Sequence, residues 1–366
     1  MNAATDPTAM KSRRIAVLLV EDSATAQPQL SRLLEADPQI AVIGVVNHGE
    51  AALNFIRERT PDAIVMDLHR PEMDGFEATR RIMETQPVPI IICAVTESPL
   101  AVATTFRGLE AGAVACVEKP RHGAPLSFEA MAANLLQTVK LMSEVKVVRR
   151  WPRSRLPTGP ASSPRGAETK PAIEMIGIGA STGGPPVLQT ILAGLPKDFP
   201  APILIVQHIA RGFLPGLMEW LNQTTGFKIQ IGAYGIRPLA GQVYLAPDGF
   251  HMGLSEHGRL LLTKATSNDG LCPAVASLFR SLAEVCGPAA VGVLLTGMGR
   301  DGAAELKLMK DQGSVTIAQD AESSVVHGMP GAAIKLNGAT HILPADRIAE
   351  MLLAVVGHAA GKGIDS

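Results

Sequence analysis

The sequence predicts two doubly wound α/β domains with mainly parallel sheets, joined by a flexible linker. Three observations carry that expectation. Short, nearly continuous apolar runs rich in Val and Ile alternate with amphipathic stretches, first over residues 15–145 and again over 173–366. Such runs are what a strand buried on both faces of a parallel sheet looks like. Between the halves, residues 146–172 are dense in Pro, Gly, Ser and Arg without period, the composition of a tether. At 366 residues the chain is also too long for one compact core.

In the first half the strand-like runs are IAVLLV (15–20), IAVIGVV (40–46), AIVMD (63–67), PIIIC (89–93) and AVACV (113–117). Helical patterns separate them: Ala24–Ala36 puts Leu30, Leu33 and Leu34 on one face, Phe76–Thr85 follows, and Phe128–Val145 closes the domain. Residues 1–14 precede the first run and are expected to be disordered. The second half offers strands at 173–179, 201–207, 228–234, 242–246, 259–263, 290–296 and 314–319. Helices are expected near Pro185–Ala193, Phe213–Thr224, Pro273–Cys286, Ala303–Gln312 and Arg347–His358.

Composition excludes several function classes. Lys and Arg total 33 against 34 Asp and Glu, a net charge of −1, so nothing suits the chain to coating nucleic acid or an anionic membrane. Four scattered cysteines form no CxxC pair, which fits reduced core thiols better than disulfides or zinc. The N-terminus lacks the apolar core of a signal peptide. Met175–Pro196 is uncharged and long enough to span a bilayer, but Gly183-Gly184-Pro185-Pro186 breaks it at the centre. The expectation is a soluble cytoplasmic protein that is not integral to a membrane.

In an open parallel sheet, function gathers at the carboxyl ends of the strands. Three strands of the first domain end in charge: Glu21-Asp22, Asp67, and Glu118-Lys119-Pro120. Carboxylates packed that closely repel unless a hard divalent cation sits among them, and Mg²⁺ suits oxygen ligands plus a phosphate donor. Asp67 is then a nucleophile towards phosphorus, and Lys119 pairs with the phosphoryl oxygens. Singly, each charge also reads as a solvated strand end.

Residues 15–122 resemble a response-regulator receiver domain, a flavodoxin-like fold, through VEDS (20–23), MDLHRPEMDG (66–75) and EKP (118–120). The resemblance implies that Asp67 accepts phosphate from a histidine kinase. It further implies that Glu21, Asp22 and Asp67 hold Mg²⁺ and that Lys119 contacts the phosphoryl group. Three positions depart from the family: Ala94 replaces a hydroxyl residue (Thr96 stands two later), Cys116 replaces an aromatic, and Arg70 replaces an apolar residue.

In the second half, strand 173–179 runs directly into Ala180-Ser181-Thr182-Gly183-Gly184-Pro185. One reading is a phosphate cradle, from Gly177, Gly179 and Gly183. A dinucleotide site also wants an acid ending the next strand, which here ends in Gln207-His208. The other reading is a nucleophile turn, because Gly179–Gly183 fits GxSxG. His208 ends the strand expected beside that of Ser181, so it is placed to act as base. Asp301, in the glycine-rich segment LLTGMGRDGAAELKLM, is the candidate to orient the imidazole. Plainer readings stand beside these: a turn serine, a structural histidine, and a cap on the helix beginning near Gly302.

The combination resembles the chemotaxis protein-glutamate methylesterase family, in which a receiver controls a Rossmann-like serine-esterase domain. The segments that carry it are GIGASTGGP (177–185), QHIARGF (207–213), LAPDGFHM (245–252), LLTGMGRDGAA (294–304) and VTIAQDAESSVVHGMP (315–330). The resemblance implies a triad of Ser181, His208 and Asp301, with Thr182 and Met298 beside the site near the oxyanion and substrate. Substrates would be methylated chemoreceptor cytoplasmic domains, with glutamine amides hydrolysed by the same machinery, no cofactor for the esterase step, and a chemotaxis-type histidine kinase as phosphodonor. In the family the receiver sits over the esterase site, and phosphorylation loosens that contact. Leu271–Ala276 and His327 depart from the family's usual residues. Two other classes compete: a receiver joined to a non-catalytic adaptor, and a DNA-binding regulator, against which stands the lack of a basic recognition helix.

Overall fold

The computed structural model describes residues 13–68, 75–95, 99–123, 127–145, 147, 172–266 and 271–360. Almost all of the expected linker and N-terminal stretch, with Arg70 and Thr96, lies outside them. The chain falls into two compact units.

The N-terminal half runs β1 (Ile15–Val20), α1 (Ala26–Glu35), β2 (Ile40–Val46), α2 (Gly49–Glu58), β3 (Ala63–Met66), α3 (Gly75–Thr85), β4 (Ile90–Ala94), α4 (Pro99–Glu110), β5 (Ala115–Glu118) and α5 (Phe128–Ser143). Its sheet has the order β2-β1-β3-β4-β5, with β1 parallel to both β2 and β3. β3 and β4 are buried at every residue, which is why their sequences read as unbroken apolar runs. The strand order reverses between β1 and β3, the place where such sheets open a crevice for a ligand.

The C-terminal half runs β6 (Met175–Ala180), α6 (Gly184–Ala193), β7 (Ile203–Gln207), α7 (Leu214–Thr225), β8 (Lys228–Ile231), β9 (Gln242–Leu245), β10 (Phe250–Leu254), β11 (Leu260–Lys264) and α8 (Val275–Val285). It continues with β12 (Ala290–Leu294), α9 (Ala303–Asp311), β13 (Val315–Gln319), α10 (Met329–Lys335), β14 (His341–Leu343) and α11 (Ile348–Ala360). Seven strands form a parallel sheet in the order β14-β13-β12-β6-β7-β9-β8. β6 is first in sequence and lies between β7 and β12, so the topological switch falls at its carboxyl end.

Several elements differ from the sequence expectation, among them β10 (Phe250–Leu254), which no expected strand covered. The run 259–263 does not join the parallel sheet; Leu260–Lys264 pairs antiparallel with Phe250–Leu254 in a separate hairpin. The short β14 and the seven-residue α10 were not expected at all. The uncharged stretch Met175–Pro196 is a strand, a turn and a short helix. Among the described residues no helix is long and apolar enough to cross a membrane. Cys93 is buried and the other cysteines half-buried, all as free thiols, and burial pushes Cys286 up to about 11.

The glycines of β6 have a packing role. A Cβ on Gly177 would lie 2.3 Å from Leu282 Cδ1, and one on Gly179 would lie 2.3 Å from Val275 Cγ1. Helix α8 therefore rests directly on the strand backbone, with its first residue beside the end of β6. That contact, rather than a phosphate cradle, accounts for Gly177 and Gly179.

Candidate functional site

In the first sheet, Glu21 follows β1, Asp67 follows β3 and Lys119 follows β5. The Lys119 backbone N–H donates to Ala94 O at 2.8 Å, which fixes its place beside the end of β4. Its Nζ lies 2.6 Å from Asp67 Oδ2 and 2.6 Å from Glu21 Oε2. Burial alone lowers a lysine, but the hydrogen bonds to Asp67 and Glu21 outweigh it and hold Lys119 above its ordinary value. Glu21 and Asp67 are buried, whereas Asp22 is exposed. Among the described residues no group of three or more His, Cys, Asp or Glu is gathered around one metal-sized point. The carboxylates of Glu21, Asp22 and Asp67 are nonetheless hard oxygen donors of the kind Mg²⁺ takes, and they outnumber the one Lys119 ammonium.

In the second sheet, register does most of the positioning. Ala180 pairs with Gln207 across β6 and β7, and the His208 N–H donates to Ala180 O at 2.9 Å. Ser181 and His208 are therefore the first residues beyond two adjacent strand ends. On the other side, the Ser181 N–H donates to Thr296 O at 3.0 Å, tying the serine to the end of β12. The turn after Ser181 is sharp because Gly183 adopts φ of 76°. That glycine, rather than the serine, takes the left-handed step. A Cβ there would strike Val325 at 2.6 Å.

His208 Nε2 lies 2.9 Å from Asp301 Oδ2, and both side chains are largely buried. Asp301 also accepts the N–H of Val275 at 2.7 Å through Oδ2 and of Ala276 at 3.0 Å through Oδ1. It caps α8 from outside, since Ala274 at the N-cap offers no side-chain acceptor. It does not cap its own helix: α9 begins after Gly302, which is left-handed with φ of 78°. Burial pushes the Asp301 carboxyl up. The hydrogen bonds from His208, Ala276 and Val275 more than reverse this and hold it below the usual carboxylate range. The departure at 271–276 leaves this role untouched, because backbone amides supply the contacts.

Sequence reasoning missed three buried amides and hydroxyls. Gln207 Nε2 donates to Ser181 O and to His208 O, each at 2.8 Å, bracing both residues with one side chain. Thr296 Oγ1 lies 2.9 Å from Thr182 O and accepts the Val326 N–H at 3.0 Å. Gln319 Oε1 accepts the Thr296 N–H at 2.8 Å. The available signal was a polar residue ending an otherwise apolar strand. Gly297 packs on the serine; a Cβ there would lie 2.6 Å from Ser181 Cβ. Thr182 is half-buried beside Ser181, and Met298 is exposed on the loop after β12. The structure thus brings Ser181, His208, Asp301 and Thr182 to one sheet edge, and it gives no hydrogen bond between Ser181 Oγ and His208. His327 forms an isolated bridge with Gly297, and burial lowers its imidazole.

Known proteins match both halves. The CheB methylesterase family model covers residues 176–352, and the response regulator receiver domain model covers 17–127. Protein-glutamate methylesterase/protein-glutamine glutaminase 1 of Syntrophus aciditrophicus (strain SB) is 50% identical over 349 residues, 94% of this chain and 99% of its own. The corresponding protein 4 of Geobacter metallireducens is 49% identical over 93% of this chain and 99% of its own. The solved CheB methylesterase catalytic domain of Thermotoga maritima shares 38% identity across 50% of this chain and 100% of that one, with a TM-score of 0.49. Two parallel α/β sheets, a carboxylate–lysine cluster at the end of one and a Ser–His–Asp edge on the other thus coincide with these matches, and the chain belongs to the CheB family of protein-glutamate methylesterases/protein-glutamine glutaminases.

Proposed function

We infer that the chain is a phosphorylation-regulated serine hydrolase that converts glutamyl methyl esters on chemoreceptor cytoplasmic domains to glutamate and methanol, and glutamine amides to glutamate and ammonia. The observation that carries this reading is the 2.9 Å contact between His208 Nε2 and Asp301 Oδ2 at the strand end beside Ser181. An ionised carboxylate only accepts, so Nε2 carries the proton and Nδ1 is the basic nitrogen of the neutral ring. Nδ1 takes the proton of Ser181 as Oγ attacks the carbonyl carbon. The Ser181 N–H is committed to Thr296 O, so the developing oxyanion falls to other donors, the backbone N–H groups of Thr182 and Met298. Each such donor is worth about 3–4 kcal/mol in comparable enzymes. His208 returns the proton to the leaving methanol or ammonia, then activates the water that releases glutamate. Asp301 holds the tautomer and stabilises the imidazolium.

In the receiver, Asp67 accepts the phosphoryl group from a histidine kinase and Lys119 pairs with a phosphoryl oxygen. Glu21, Asp22 and Asp67 would hold Mg²⁺, which supplies charge neutralisation around phosphorus when bound. The domain limits that serve this division are 15–145 for the receiver, 146–172 for the linker and 173–366 for the esterase.

A serine-directed phosphonate tests the reading against a non-catalytic adaptor. The wild-type chain is expected to be labelled at Ser181, and more slowly after His208→Gln. Absence of labelling, or labelling at other serines alone, contradicts it.

A further inference from the structure

A cleft of about 760 Å³ opens beside Asp301, between the β10–β11 hairpin and the start of α8 and α9. His251, Ser277, Lys264, Arg300 and Glu305 contribute to its walls. Two anions and two cations line it, yet they are not equally available. Asp301 is consumed by His208 and the α8 amides. Glu305 is consumed by Arg280, at 2.7 Å. Lys264, at the end of β11, and Arg300, next to Asp301, are both exposed. Neither side chain makes a hydrogen bond or ion pair among the described residues. Among the described residues the uncommitted side-chain charge of the cleft is therefore positive, although the chain as a whole carries a net charge of −1.

We propose that this cleft is a recognition site for carboxylates, in which Arg300 and Lys264 hold acidic side chains that flank the scissile glutamyl ester on the substrate polypeptide. The proposal rests on the esterase reading above, since it places the occupant by its distance from His208 and Asp301. The chemistry of the occupant follows from the cleft and from the product. Arg300 offers a fork of N–H donors that matches a carboxylate, and Lys264 adds a point charge opposite. Hydroxyl and imidazole groups on the walls favour a polar peptide over an acyl chain. Each turnover converts a neutral ester into a carboxylate. A polypeptide with several modifiable glutamates therefore becomes a better ligand for the cleft as it is hydrolysed, so removal at one position favours removal at the next. Two fixed charges at a cleft mouth steer an oppositely charged partner, and salt weakens the effect.

The test uses the full chain and two synthetic peptides, each with one glutamyl methyl ester, flanked by glutamates in one and by serines in the other. The ratio of their kcat/KM values is expected to favour the acidic peptide by on the order of tenfold at low ionic strength and to fall at high salt. Arg300→Gln with Lys264→Gln is expected to bring the ratio near one. Arg300→Glu with Lys264→Glu is expected to invert it, and also to favour a lysine-flanked peptide. A wild-type ratio near one overturns the proposal, as does a preference that survives both double substitutions. Ser181→Ala separates the two readings: turnover that persists in that variant removes the serine mechanism, while the peptide ratio still reports on the cleft.

Discussion

His208 turns Nε2, not Nδ1, toward Asp301 across 2.9 Å. The ring nitrogen left free of Asp301 is therefore Nδ1, the one the proposed mechanism assigns to Ser181, and an ionised carboxylate dictates that choice because it cannot donate. Nitrogen NMR of the neutral ring is expected to find the proton on Nε2. Asp301→Asn permits an amide donor to face Nε2, which moves the ring proton to Nδ1 and blocks the base. A loss in kcat on the order of 10⁴ with little change in KM is the expected outcome in steady-state kinetics.

Asp301 also joins stability to pH. Its carboxyl is held below the usual range by hydrogen bonds that exceed the opposing effect of burial. The contribution is thus fully present above the unfolded carboxylate value of about 3.9 and disappears as pH falls through the folded value. The melting temperature of the wild type relative to Asp301→Asn is expected to be constant near neutrality and to converge below about pH 4. Parallel curves across the acid range would contradict it.

Gln207 links the positions of Ser181 and His208 through two hydrogen bonds from one buried nitrogen. Gln207→Leu leaves two carbonyls short of a donor, at a cost of about 1–3 kcal/mol in denaturant unfolding. Because the brace holds Ser181 and His208, the proposed nucleophile and base, together, kcat is expected to fall at least tenfold with KM nearly unchanged. Gln207→Glu keeps the volume but not the donor and is expected to behave similarly.

Phosphorylation should act through Asp67 alone. A small phosphodonor with Mg²⁺ is expected to raise methanol release by the wild-type chain and to leave Asp67→Asn at its basal rate. Lys119→Gln is expected to blunt the response, because the ammonium 2.6 Å from Asp67 is lost. Equal stimulation of all three proteins would exclude this route.

Much of this was legible in the sequence. Strands β6, β7, β12 and β13 are buried at every position, so burial on both faces wrote itself as Val/Ile runs. Leu260–Lys264 misled for the same reason: LLLTK is apolar at the start, but only its pairing with Phe250–Leu254 shows that one face meets solvent. Three-residue β14 and α10, whose MPGAAIK contains Pro and Gly, are too short or irregular to carry a period. Ser181, His208 and Asp301, the proposed triad, were visible in the sequence as polar residues just past a strand or in a glycine loop. What orients Asp301 was not, because Val275 and Ala276 contribute only their amides from a helix start 26 and 25 residues away. Gln207 and Thr296 look like ordinary polar strand ends until the register sets them against the carbonyls of the Ser181 turn.

The most direct test of the account is methanol release from methylated receptor membranes by wild type and Ser181→Ala, with folding of the variant checked by its unfolding transition. The account predicts cooperative unfolding like that of the wild type and methanol release reduced to background. A folded Ser181→Ala protein that releases methanol at the wild-type rate would contradict it.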